Sequence, residues 1–333
     1  MATRFELVLH GANAASLRAA GEEVFEEIER LENRLSLYRA GSEISHLNRE
    51  AARGPVVVSP GLFDLLDHAR RLTVESAGAF DITVAPLVRC WGFMGGDGAM
   101  PGPAEVAEAR SRVGMGHIHL DQENRTVRFG REGVMIDLGA IGKGYAIERA
   151  VGLLREAGVE RALIHGGTST VYGLGAPPDQ TAWSIAIEIP PQDPDLPYAR
   201  LCWNSGTPHP PQHGTAHGTA RPEPPRIVTL PLRDESLSVS AAWGKFFHAG
   251  GRKFGHVLDP RSGEPVSRAA LALVALPSAT ETDALSTALL VEGRDGHDRI
   301  AGLRPGMRTL VAVEVGDGFQ LDYRGPAGGA GGI

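Results

Sequence analysis

The stretch MIDLGAIGKGYAIERA, residues 135–150, constrains this chain most. Val134, Met135, Ile136 and Leu138 form a short apolar run suited to a buried strand. Gly139, Gly142 and Gly144 then let the backbone bend and approach another group closely. From Tyr145 the pattern reads as a helix, with Ala146, Ala150, Leu153 and Leu154 on one side and Gly158 as its stop. Such a turn offers backbone N–H groups and the positive end of a helix dipole, which suits a phosphate, and Lys143 adds a mobile charge. The same glycines would equally serve packing alone. The spacing is neither G-x-G-x-x-G nor G-x-x-x-x-G-K-[ST], so neither standard nucleotide motif applies.

The 333 residues allow one large domain or two, and with 42% hydrophobic and 22% charged residues the chain can bury an ordinary core. A formal net charge of -7 argues against nucleic acid as a partner. Cys90 and Cys202 make neither a disulfide scaffold nor a zinc cluster. No stretch approaches the roughly 20 apolar residues of a membrane span, and MATRFELVLHG has no basic region followed by an apolar run. As written, the chain is expected in the cytoplasm. If a leader was trimmed from it, the expectation becomes periplasmic or membrane-anchored.

Phe5, Leu7 and Leu9 predict an opening strand, and Val24, Ile28, Leu31 and Leu35 a helix whose glutamates face water. Ser42 is placed to cap a short helix, and Tyr38, before the turn at Gly41, reads as half-buried packing or a ligand platform. Pro60 opens a helix that Gly78 ends. Asp81 is either the cap of a helix beginning near Thr83 or a ligand. Residues 91–103 read as a loop, and His117 and His119 as one face of a strand. Arg161 to His165 and Trp183, Ile185, Ile187 and Ile189 predict further strands. Residues 190–226 are rich in Pro and His and read as a flexible insertion, and residues 326–333 as a flexible tail. A hairpin turn is expected at Ala249-Gly250-Gly251. His256 precedes a short strand and titrates in the range that suits a general base. Asp283 and Thr287, four apart on a helix, offer two hard oxygens of the kind Mg²⁺ prefers, or else bond within their own helix.

These segments together resemble the ApbE family, the bacterial FAD:protein FMN transferases. Its Met-Gly-Thr start appears as Met1-Ala2-Thr3, and its Ser/Tyr segment ending in Leu-Asn as residues 36–48. Gly-x-Phe-Asp-x-Thr-x-x-Pro-Leu is residues 78–87, followed by Trp91-Gly92-Phe93. Asp-Leu-Gly-x-x-x-Lys-Gly-Tyr-Ala is residues 137–146, and His-x-x-Asp-Pro-x-[ST]-Gly-x-Pro is residues 256–265. Asp-Ala-x-x-Thr closes the series at residues 283–287.

The resemblance implies an α+β, two-lobed domain over residues 1–325 with FAD in the cleft between the lobes. Met1, Tyr38, Ala79, Phe80, Asp81, Asp137, Lys143 and His256 match positions that line the FAD site. Asp283 and Thr287 match side-chain ligands of Mg²⁺, and Ala140 a backbone carbonyl ligand. The implied reaction moves FMN from FAD to a Thr or Ser hydroxyl of an acceptor protein and releases AMP, with His256 as the base. An FAD pyrophosphatase and a non-catalytic FAD-binding protein are the alternatives. The chain departs from the family at Thr168, where an Asp is usual, at Val239-Ser240-Ala241 in place of Thr-Ser-Gly, and at Ser286, where several relatives carry a second Asp. The last change implies a metal site with one charge fewer.

Overall fold

The computed structural model describes residues 3–189, 201–203, 226–242, 244–316 and 318–326. Strand β1 (Phe5–His10) leads into helix α1 (Ala14–Leu35), which Asn13 caps by accepting the Ala15 and Ser16 N–H groups at 3.0 and 3.2 Å. Val24, Ile28, Leu31 and Leu35 are buried, as their spacing predicts. Helix α2 (Glu43–Glu50) starts at Ser42, whose Oγ accepts the Ser45 N–H. After β2 (Val56–Val57), helix α3 (Pro60–Glu75) opens on its proline, and Gly78 takes φ +80° in the turn beyond it. Helix α4 (Ala85–Cys90) follows, and Pro103, the last residue of the expected loop, opens α5 (Pro103–Arg110). Strands β3 (Ile118–Asp121) and β4 (Thr126–Phe129) join β2 in a small sheet. Only His119 lies in β3. His117 closes the 3₁₀ turn Met115–His117, so the two histidines do not share one strand face.

The second half begins with α6 (Gly142–Glu156), β5 (Arg161–Gly166), β6 (Thr170–Leu174) and β7 (Trp183–Ile189). Strand β8 (Leu201–Trp203) pairs with β7 inside the segment expected as an insertion. Most of that segment, and the tail from residue 327, lie outside the described residues. Then come β9 (Arg226–Leu232), β10 (Glu235–Ala241) and the hairpin β11 (Phe246–Ala249) and β12 (Arg252–Gly255). The hairpin turns on Gly250 and Gly251, both at positive φ, as the sequence predicts. Strand β13 (Leu271–Leu276), helices α7 (Ala279–Glu292) and α8 (His297–Ala301), and strands β14 (Arg308–Val315) and β15 (Gly318–Arg324) complete the chain.

Seven strands form one sheet in the order β1-β5-β6-β10-β13-β14-β15, with every pair antiparallel. Its helices and strands together give the α+β class expected. Strand β13 shows how the sheet is buried. Its run LALVAL has no polar residue, because both faces are covered. Ala272, Val274 and Leu276 pack with α7 and α3, while Leu271, Leu273 and Ala275 pack with β7 and β9. A fully buried Leu or Val of this kind contributes about 1.5–3 kcal/mol.

Two features of the opening stretch differ from expectation. Residues 134–138 are extended but belong to no sheet. Asn48 of α2 stands in for a neighbouring strand: its amide donates to the Ile136 carbonyl at 2.9 Å and accepts the Ile136 N–H at 2.8 Å. Helix α6 also begins at Gly142, three residues before Tyr145. Its far end matches the prediction, since Gly158 takes φ +75° and the Val159 N–H reaches back to the Leu154 carbonyl at 2.8 Å.

Helices α6 and α7 cap each other. Glu148 of α6 accepts the Thr280 N–H in the first turn of α7 at 2.8 Å, while Asp283 of α7 accepts the Gly144 N–H in the first turn of α6 at 3.0 Å. The crossing needs a glycine. A Cβ on Gly144 would collide with the Ala279 carbonyl and lie 2.8 Å from the Asp283 Cβ. Gly144→Ala is therefore expected to cost about 1–3 kcal/mol or more, the range of an overpacked core, while Gly152→Ala on the same helix, with nothing near its Cβ, should not. Chemical denaturation of the two variants checks this.

Candidate active site

A cleft of about 460 Å³ opens where the 79–84 turn, the start of α6, the end of β10 and helix α7 meet. Every predicted site residue within the described region lines it: Tyr38, Ala79, Phe80, Asp81, Asp137, Ala140, Lys143, His256, Asp283 and Thr287. Met1 lies outside the described residues. The residues come together from distant parts of the chain, but their side chains do different things.

Asp81 is a clasp. One oxygen accepts the Thr83 N–H at 2.8 Å and the Thr83 hydroxyl, and the other accepts the Met115 N–H at 3.0 Å. Thr83 in turn accepts the Gly114 N–H. The carboxylate thus sews two loops together and does not cap α4, which begins at Ala85. Burial pushes its pKa up, against these hydrogen bonds. Ala79 and Phe80, both buried, shape the wall beside it. Tyr38 is 69% exposed at the mouth, so it is not the half-buried packing residue its neighbourhood suggested. Its hydroxyl pKa is raised by burial and by Asp137.

The glycine turn spends its N–H groups internally. Gly139 donates to the Asp137 carboxylate at 2.8 Å, Gly142 to the Leu138 carbonyl at 2.7 Å, and Gly144 to Asp283. An anion at this turn would meet chiefly the Lys143 side chain, not the row of free N–H groups expected. Burial raises the Asp137 pKa, opposed by the Gly139 hydrogen bond and the Lys143 charge.

Ala140 precedes the Ile141 N-cap, so its carbonyl lies outside the hydrogen-bond ladder of α6, whose first bond runs from the Tyr145 N–H to the Ile141 carbonyl at 3.0 Å. Here no described residue donates to Ala140, and its carbonyl is left on the cleft wall. Beside it, Asp283 is held by Lys143 at 3.1 Å, by the Gly144 N–H and by the Thr170 hydroxyl at 3.4 Å. Thr287 donates to the Asp283 carbonyl of its own helix at 3.3 Å and lies 3.2 Å from the Ser240 hydroxyl. Helix-internal bonding therefore coexists with a hydroxyl that faces the cleft. One carboxylate, one hydroxyl and one unpaired carbonyl are hard oxygens, a set that fits a magnesium ion completing its shell with water and substrate phosphate.

Thr170 and Ser238 are residues that sequence reasoning missed, and Ser240 figured there only within a departure from the family pattern. In ESLSVSA, Ser236, Ser238 and Ser240 alternate with Leu237 and Val239, so they share one face of β10. Two of them meet α7, Ser236 with Thr282 at 3.0 Å and Ser240 with Ser286 at 2.9 Å, while Ser238 meets Thr170 of the neighbouring β6 at 2.8 Å. The period-2 serine stripe was the available signal. Ser286 is fully buried in this array and turned away from the cleft.

Across the cleft, His256 sits at the base of the β11–β12 hairpin. Its Nδ1 lies 3.2 Å from both the Lys245 N–H and the Lys245 carbonyl, and Nε2 has no partner among the described residues. Phe93 packs edge-on against the ring. Burial lowers its pKa, the Lys245 hydrogen bond opposes this, and the Lys245 and Lys143 charges lower it further.

The fold is that of the flavin transferases. A solved structure, the flavin transferase ApbE from Vibrio cholerae, aligns over 97% of this chain and 94% of its own with a TM-score of 0.75 and 25% identity. The apo flavinyl transferase ApbE of Pseudomonas stutzeri shows the same fold, with a TM-score of 0.74 over 96% and 95% of the two chains at 24% identity. A protein named FAD:protein FMN transferase in Treponema pallidum (strain Nichols) is 31% identical over 303 residues, 89% of this chain and 78% of the relative. One of the same name in Salmonella typhimurium is 25% identical over 293 residues, 86% and 74%. The ApbE family model matches residues 1–311, and the chain belongs to the ApbE family. No helix among the described residues is long and apolar enough to cross a membrane.

The His256 environment sets a pH expectation. With its folded pKa below the ordinary 6.5, the ring is neutral at pH 7 and contributes nothing to stability there. Below 6.5 the unfolded chain takes up a proton that the folded ring refuses, so this group costs stability as pH falls. The His256 ring signal in an NMR titration, assigned with His256→Gln, is expected to move with a midpoint below 6.5.

Proposed function

We propose that this protein transfers FMN from FAD to a Thr or Ser hydroxyl of an acceptor protein and releases AMP, with Mg²⁺ bound. The observation that carries the reading is the opposition, in one cleft, of His256 to the corner of Ala140, Asp283 and Thr287, with Lys143 between charges. Residues 1–325 act as one domain in this reading, since the cleft draws on positions from Tyr38 to Thr287.

Tyr38, exposed at the cleft, would offer a ring to the flavin, and Lys143 a charge to the pyrophosphate of FAD. Ala140, Asp283 and Thr287 are the residues that would hold the magnesium. When bound, the ion supplies positive charge to the phosphate oxygens as the anhydride breaks. The chain's own groups do the rest. In the tautomer that donates Nδ1–H to the Lys245 carbonyl, His256 presents a free Nε2 lone pair, and its lowered pKa keeps that lone pair available at neutral pH. It takes the proton from the acceptor hydroxyl as oxygen bonds to the FMN phosphorus. The bond from that phosphorus to the bridging oxygen breaks, and AMP leaves with the oxygen. Lys143 stabilises the charge developing on the phosphates.

Incubation with FAD, Mg²⁺ and an acceptor domain bearing an unmodified Thr or Ser hydroxyl is expected to give an acceptor heavier by one FMN, with one AMP released. Mass spectrometry and nucleotide chromatography read both. AMP with free FMN and no adduct would show a pyrophosphatase, and intact FAD a binding protein. His256→Ala should keep FAD bound and slow transfer by about 10²–10⁴-fold. Asp283→Asn, which retains an oxygen for the Gly144 N–H, should remove the dependence on added metal without unfolding the chain.

A further inference from the structure

Asp283 already has a cation. The Lys143 ammonium lies 3.1 Å from one carboxylate oxygen and 3.5 Å from the other, and 3.2 Å from the Gly139 carbonyl. The Asp283 side chain is only 4% exposed. No group of three or more His, Cys, Asp or Glu side chains that could hold a metal occurs among the described residues. The corner therefore has one negative charge to offer. An ammonium and a divalent cation against one carboxylate in a partly buried site repel each other strongly.

We infer that Lys143 is a resident counter-ion that holds the metal corner shut in the nucleotide-free protein. It gives up Asp283 only when a pyrophosphate arrives to receive its ammonium. The fold permits this exchange. Lys143 sits in the first turn of α6 with a flexible four-carbon stem, and the Gly144 N–H keeps Asp283 in place whether or not the lysine stays. Metal and nucleotide then bind as a coupled pair, each raising the affinity for the other by one factor. This rests on reading Ala140, Asp283 and Thr287 as the metal corner.

The test is direct metal binding, with Mn²⁺ as the probe and free Mn²⁺ counted by electron paramagnetic resonance. In the nucleotide-free protein, Lys143→Met is expected to bind Mn²⁺ about tenfold tighter or more than wild type. Lys143→Arg, which keeps the charge, should bind as weakly as wild type. By calorimetry with ADP, a stable pyrophosphate, Mn²⁺ should raise ADP affinity more in wild type than in Lys143→Met. Circular dichroism verifies that each variant is folded. Equal Mn²⁺ affinity in wild type and folded Lys143→Met, with Asp283→Asn abolishing binding, would overturn the inference and leave the corner standing. So would tight binding by Lys143→Arg. If Asp283→Asn in the Lys143→Met background binds Mn²⁺ as well as Lys143→Met alone, the corner itself is wrong and the inference falls with it.

Discussion

The hydrogen bond from the Gly144 N–H to Asp283 is the contact on which the cleft depends. Helix α6 has no side-chain cap at Ile141, so its first-turn donors need acceptors from elsewhere. Asp283 supplies one from α7, and Glu148 returns the favour to the first turn of α7. The start of each helix is thus fixed by a carboxylate of the other. The close crossing that follows demands Gly144 and brings Lys143 against the carboxylate. Structural capping and the candidate chemistry share the same atoms.

The sheet holds this helix pair from behind. Strand β13 is apolar on both faces and is buried between α7 and the β7–β9 layer. Strand β10, its neighbour, sends Leu237 and Val239 to that layer, Ser236 and Ser240 to α7, and Ser238 to Thr170 of β6. The serines would be costly on a buried face without partners, and Thr282, Thr170, Ser286 and Thr287 provide them. The hydroxyl array orients Asp283 and Thr287 more narrowly than apolar packing could, because hydrogen bonds are directional.

Charge within the cleft is arranged by burial as much as by pairing. Desolvation raises Asp81 and Asp137 and lowers His256, so each is pushed toward its neutral form. Hydrogen bonds from Thr83, Met115 and Gly139 oppose the shift in the two acids. The histidine keeps a bond to Lys245, and nearby lysine charge disfavours its protonation. The opposing walls thus carry different work: an ion pair between α6 and α7, and a ring at the hairpin that burial pushes toward neutrality.

Local sequence determined the parts whose partners are near. Asn13 and Ser42 cap, Pro60 starts, Gly158 stops and the alternation from Trp183 makes a strand, because each involves groups within a few residues. The family motifs also named the residues that line the cleft, since a motif records which residues accompany one another. What each side chain does there was decided by tertiary structure. Asp81 became a clasp through Met115, and the extended 134–138 run met Asn48, 88 residues away from Ile136, instead of a strand. Lys143 and Asp283 are 140 residues apart. Helical spacing could put Asp283 and Thr287 on one face, but only the α6–α7 crossing could give Asp283 a resident cation, because that pairing follows from where two separately formed helices touch.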